Sequence, residues 1–127
     1  MADILVIDDD LQVLQLLSST LIEKGHNISI AKNGCEGVRC LEKQSFDIVV
    51  TDIVMPEKDG IEVITYLLLR DKRPGIIAVS GGSQLLGVNY LLEMATTMKV
   101  DMVLRKPISP LNMLEAIETL LISKNII

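Results

Sequence analysis

The sequence predicts one α/β domain over residues 1–127, a (βα)5 doubly wound parallel sheet of five strands with helices on both faces. Three observations carry that prediction. Short β-branched apolar runs alternate with helix-length amphipathic stretches five times, a pattern that implies parallel strands joined by right-handed crossovers. Hydrophobic residues make up 49% of the chain but aromatics only 2%, so Leu, Ile, Val, Met and Ala must build the core. Buried parallel strands suit that composition better than an aromatic-rich sandwich. Finally, the polar residues of chemical interest all sit at, or directly after, the end of a predicted strand.

Ile4–Ile7 reads as the first strand, running into Asp8, Asp9 and Asp10. Leu14, Leu17 and Leu21 then recur at helical spacing within Leu11–Lys24, and Gly25 can close that helix. Asp10 directly precedes the helix and is expected as its N-cap. Ile28–Ala31 is a second strand. Asn33 and Glu36 form a helix-starting capping pair, opening a helix through about Glu42. The third strand, Asp47–Thr51, is the organising one: its β-branched run ends at Asp52, ahead of Pro56 and the turn pair Asp59–Gly60.

Ile61–Leu69 is the next helix, stopped by the segment Arg70–Gly75 with Pro74 as breaker. Ile76–Ser80 is a fourth strand, followed by a Gly81–Gly82–Ser83 turn. Leu85 to about Met98 carries Leu86, Tyr90 and Met94 on one helical face. Asp101–Arg105 is the fifth strand. Ser109 and Pro110 start the last helix, with proline where its missing N–H matters least. Met113, Ile117 and Leu120 or Leu121 are its expected buried face.

Composition also excludes function classes. The net charge is −5 with no run of Lys and Arg, so direct nucleic-acid binding has little electrostatic support. No apolar run approaches the ~18 residues of a membrane span. The start, MADILVIDDD, lacks the basic n-region of a secretory signal. Cys35 and Cys40 fall on roughly opposite sides of one helix, so they are not expected to pair. Reduced thiols without an export signal point to the cytoplasm. His26 reads as a turn residue, Met94, Met98 and Met102 as core fillers, and Tyr66 and Tyr90 as packed rings with hydroxyls at the surface.

In a parallel sheet the carboxyl ends of the strands share one edge, so Asp8, Asp9, Asp52, Ser80 and Lys106 are expected to converge there. Carboxylates ~4 Å apart repel by about 4 kcal/mol per pair at an effective dielectric near 20. A divalent cation relieves this, and oxygen-only ligands favour Mg²⁺ or Mn²⁺ over zinc. The single histidine, His26, lies away from that edge, which excludes a His-dependent nucleophile triad. What remains fits phosphoryl chemistry: a carboxylate nucleophile, a metal, and Lys and Ser to hold the transferred oxygens.

Four stretches in this order, ILVIDDD (Ile4–Asp10), DIVVTDIVMPEKDG (Asp47–Gly60), AVSGGS (Ala78–Ser83) and LRKP (Leu104–Pro107), resemble the receiver domain of response regulators in two-component signalling. The likeness covers essentially the whole chain and implies the flavodoxin-like strand order 2-1-3-4-5. It implies Asp52 as phosphoacceptor, Asp8 and Asp9 as the metal-binding acidic pair with Asp9 favoured as direct ligand, and the Val54 backbone carbonyl in the metal shell. It further implies that the Ser80 hydroxyl and Lys106 meet the phosphoryl group, and that the Lys106–Pro107 bond is cis. The implied partners are a sensor histidine kinase or His-containing phosphotransfer protein and a downstream protein target, with catalysis limited to self-phosphorylation and self-dephosphorylation.

Two features depart from the family's pattern. Its switch aromatic falls on Val103, and the stretch from Ser80 to Lys106 is a few residues longer than usual. Competing readings are a receiver-shaped, phosphorylation-independent binding module and a receiver cut from a larger regulator or hybrid kinase. A haloacid-dehalogenase-type phosphatase would place Asp-x-Asp after the first strand and carry a cap, and an FMN carrier would need a Ser/Thr/Gly-rich phosphate loop there. Here Asp8 and Asp9 are adjacent and no cap insertion fits, and no Ser/Thr/Gly-rich loop follows the first strand.

Overall fold

The structure, a computed structural model, describes residues 2–53, 60–70, 72–80 and 100–124. Five strands, β1 (Asp3–Ile7), β2 (Asn27–Ala31), β3 (Ile48–Asp52), β4 (Gly75–Ser80) and β5 (Met102–Arg105), form one sheet in the order β2-β1-β3-β4-β5. Every pairing is parallel, with Ile4 opposite both Ile28 and Ile48, Asp52 opposite Val79, and Ser80 opposite Arg105. The described helices are α1 (Leu11–Glu23), α2 (Gly34–Lys43), α3 (Gly60–Leu68) and α4 (Pro110–Ser123). The helix expected over 85–98, with Tyr90, Met94 and Met98, lies outside the described residues, as do the 81–83 turn and Pro56.

Alternation along the strands sorts the core into two layers. Ile4, Val6, Ile48, Val50, Ile77 and Val79 point to the face covered by α1 and α4. Leu5, Ile7, Val49, Ile76 and Ala78 point to the face covered by α2 and α3. The central strand β3 is buried at all five positions, whereas the edge strands β2 and β5 are half open to solvent. Helices cover both faces of β3, which is why the run Ile48–Val50 shows no polar alternation; the polar Thr51 and Asp52 come only at its carboxyl end.

The helix starts follow their local chemistry. Asp10 caps α1, accepting from the Gln12 and Val13 amides, and Ser109 caps α4 by accepting from the Asn112 amide. Asn33 caps α2 by accepting from Glu36 N–H at 2.9 Å. The reciprocal bond differs from the expected box, because Glu36 Oε1 reaches one residue further back and accepts from Lys32 N–H at 3.1 Å. Gly25 takes φ 90 after α1, a conformation that glycine adopts without a Cβ penalty. On α4 both Leu120 and Leu121 are buried with Met113 and Ile117. The expected strand and helix bounds shift by a residue at several ends; β3 in particular starts at Ile48 and takes in Asp52.

At the amino-terminal edge of the sheet, carboxylates replace absent ladder partners. Asp47 Oδ2 accepts from Asp3 N–H at 2.8 Å, and Asp101 Oδ2 accepts from Ile76 N–H at 2.7 Å. Asp101 also faces Arg73 at 3.4 Å and Lys124 at 3.6 Å. His26, after α1, accepts from Ala2 N–H through Nδ1 at 3.3 Å, so it ties the start of the chain to the exit of the helix. Tyr66 is half-buried, and its hydroxyl is bonded by Arg70 Nη1 at 2.9 Å rather than left to solvent. Cys35 and Cys40 are both free thiols.

Candidate functional site

The parallel topology fixes what can meet at the opposite, carboxyl-terminal edge. β1 and β3 are direct neighbours, so the residues that end them lie side by side. Asp8 continues the β1–β2 ladder by donating its N–H to the Ala31 carbonyl at 3.1 Å, and Asp52 is the last residue of β3. Both carboxylates are almost wholly buried, with 2% of Asp8 and 3% of Asp52 exposed, whereas Asp9 is exposed. Carboxylate oxygens of Asp8, Asp9 and Asp52 all lie within 4.8 Å of one another. The chain thus gathers three acids from two strand ends, as the strand order requires.

Lys106 follows β5, on the far side of β4, and its long side chain bridges back across that strand. Its Nζ lies 2.9 Å from Asp8 Oδ2 and 3.0 Å from Asp52 Oδ2. Burial works against the ammonium, but hydrogen bonds and charges from Asp8 and Asp52 outweigh it and raise its pKa above the ordinary value. The Lys106–Pro107 peptide is cis.

Asp8 has a second task. Its Oδ1 accepts from Asp10 N–H at 2.9 Å, an Asx turn that sets Asp10 up as the cap of α1. Both oxygens of Asp8 are therefore engaged, whereas Asp9 makes no hydrogen bond or ion pair among the described residues. Three carboxylates against one ammonium leave two formal negative charges in a space with oxygen donors only. That charge and that donor set fit a hard divalent cation such as Mg²⁺ or Mn²⁺.

Ser80 sits at the end of β4, opposite Arg105 and next to Val79, the register partner of Asp52. Its backbone therefore belongs to the same edge, and Val54 lies outside the described residues. Val103 pairs with Ala78 and packs, half-buried, on the α2 and α3 face. Two features were not anticipated from the sequence. Lys106 pairs with Asp8 as well as Asp52, and the buried Thr51 hydroxyl donates to the Asp52 carbonyl at 3.0 Å. The Asp8-x-Asp10 spacing is the signal that could have shown Asp8 turning back on its own loop. Nothing in the sequence marks Thr51.

The chain matches the response regulator receiver domain family over residues 4–118. It is 34% identical over 83 residues to the transcriptional regulatory protein GlrR of Escherichia coli, a match covering 65% of this chain and 19% of that protein. It is 35% identical over 66 residues to a probable histidine kinase of Oryza sativa, covering 52% of this chain and 7% of the kinase. The chain thus spans only a small part of these curated relatives. A CheY-like response regulator receiver domain protein from Methanospirillum hungatei superposes with a TM-score of 0.86 at 25% identity, covering 98% of this chain and 97% of that one.

Proposed function

The chain belongs to the response-regulator receiver family, the signalling module of two-component systems, and on that premise we propose that it is a phosphorylation-controlled switch with Asp52 as phosphoacceptor. The observation that supports this most is the Lys106 ammonium held between two buried carboxylates, 3.0 Å from Asp52 and 2.9 Å from Asp8. A cation in that position can follow negative charge as it arrives. An Asp52 carboxylate oxygen attacks the phosphorus of a phosphohistidine on a sensor histidine kinase or phosphotransfer protein. The P–O bond forms as the P–N bond breaks, and the imidazole nitrogen keeps the electron pair. Lys106 then pairs with a phosphoryl oxygen, and the Ser80 hydroxyl donates to another.

Asp9 and Asp52, with the Val54 carbonyl, would hold Mg²⁺ or Mn²⁺, and Asp8 would complete the acidic pair while orienting Lys106. The bound cation supplies charge neutralisation to the transferred group. Family members are signalling modules rather than classical enzymes, and the output proposed here is altered binding to a downstream protein. The phosphoryl group adds nearly two negative charges, and Lys106 and Ser80 shift toward them. Their movement repacks the face of β5 and α4. We place the 127 residues in the cytoplasm as one receiver domain, in line with the free thiols.

Intact mass after incubation with acetyl phosphate tests the reading. The expected outcome is one phosphoryl group gained in the presence of Mg²⁺, and none by Asp52→Asn or without metal. No gain by the wild type overturns it. Val103, an aliphatic residue on the inner face of β5, supports a second reading: partner binding that does not wait for phosphorylation. Binding that survives Asp52→Asn would favour that one.

A further inference from the structure

The amino-terminal edge of the sheet, opposite the acid cluster, carries a half-open cleft of about 1320 Å³. Its floor is apolar, formed by Leu41 of α2, Phe46 before β3, Leu67 of α3 and Pro74 before β4, all buried. Phe46 is the chain's single phenylalanine. Arg70, Lys72, Arg73 and Lys124 stand around this floor, and Asp47 is the one acid that lines it among the described residues. Four of the chain's 12 basic residues thus meet in one concavity of a protein whose net charge is −5. A low-dielectric cleft in which one sign of charge outnumbers the other, here four cations to one carboxylate among the described residues, focuses its field on ligands of the opposite sign.

The cations differ in how far they are committed. Arg73 and Lys124 both face Asp101. Arg70 lies over the Tyr66 ring and donates through Nη1 to the Tyr66 hydroxyl and the Leu41 carbonyl, a pose that fixes its guanidinium at the cleft wall. Lys72 is exposed and makes no bond among the described residues. Leu69, 83% exposed, extends the apolar floor onto the rim.

We propose that this cleft is a docking groove for an acidic segment of a partner protein, one that alternates carboxylates with large apolar side chains. The apolar side chains cover Leu69 and the exposed edge of Phe46 while the carboxylates meet Lys72 and Arg70. The volume exceeds the roughly 300–1,000 Å³ of small-molecule pockets and the cleft is open along one side, which suits a length of chain better than a metabolite. The proposal stands apart from phosphorylation, since the groove and Asp52 lie at opposite edges of the sheet.

The test is fluorescence anisotropy of a labelled decapeptide alternating Glu and Leu, titrated with the full chain. Binding should weaken with added salt. Lys72→Glu and Leu69→Ser, two exposed positions that carry no part of the core, should each weaken it about tenfold, about 1.4 kcal/mol. Peptides with Gln for Glu, or Ser for Leu, should lose binding. Both variants should still take up phosphoryl from acetyl phosphate, which shows them folded and separates this proposal from the role of Asp52. Absence of binding, or binding that neither variant changes, overturns the groove; so does equal binding of the Ser-for-Leu peptide.

Discussion

Lys106 is asked to balance two buried carboxylates at once, and that imbalance governs what single substitutions do. Oxygens of Asp8 and Asp52 within 4.8 Å of each other repel by about 3 kcal/mol at an effective dielectric near 20. Removing the ammonium leaves that repulsion unanswered, so Lys106→Gln should lose about 2–4 kcal/mol of stability at pH 7 in metal-free buffer, read from urea midpoints. The pH dependence has a definite sign. The ammonium's pKa is raised, so its contribution is complete below the unfolded value of 10.5 and is lost as pH climbs through the higher folded value. The gap between wild type and variant should therefore close only once pH has passed the raised folded value. A gap that persists there would mean that packing of the lysine stem, not its charge, sets the loss.

His26 has the opposite sign. Burial, and then the positive amino terminus, lower its pKa from 6.5, and its Nδ1 must stay unprotonated to accept from Ala2 N–H. Stability from this group is present above pH 6.5 and is lost as pH falls through the folded value. His26→Asn keeps an acceptor without the titration. Between pH 7.5 and 5 the wild type should lose more stability than this variant, and parallel pH curves would remove His26 from the account.

At the scale of elements, α2 shows how closely the helix layer sits on the sheet. A Cβ built at Gly37 would collide with Ile7 Cδ1 and lie 3.1 Å from Cγ1. Ile7 is buried at the end of β1, next to Asp8, and has little room to withdraw. Alanine normally favours a helix over glycine by up to about 1 kcal/mol. Here the clash should reverse that preference, with Gly37→Ala destabilising by about 1–3 kcal/mol in chemical denaturation. A stabilised variant would show that α2 can lift away without cost.

For the molecule as a whole, the two edges of the sheet carry different clusters of charge among the described residues. The carboxyl edge concentrates Asp8, Asp9 and Asp52, while the amino edge gathers Arg70, Lys72, Arg73 and Lys124. Phosphorylation or metal binding therefore changes charge at one pole only. A dication that binds the folded acid cluster and not the unfolded chain stabilises by mass action, about 1.4 kcal/mol at ten times its Kd. Mg²⁺ should raise the thermal midpoint of the wild type and leave Asp9→Asn nearly unmoved. An equal rise in both would place the bound metal elsewhere.

How much of this was legible beforehand depends on the range of the interaction. The five strands, the caps at Asp10, Asn33 and Ser109, and the closing Gly25 were readable because periodicity and capping act within a few residues of chain. The shared edge of Asp8, Asp52 and Lys106 was readable too, since parallel topology brings strand ends together whatever lies between them. The tertiary structure alone decided that Lys106 reaches across β4 to two acids, that Glu36 caps Lys32 rather than Asn33, and that four cations surround Phe46 at the far edge. Those contacts depend on the direction and length of individual side chains once the helices have docked, and no local pattern in the sequence encodes them.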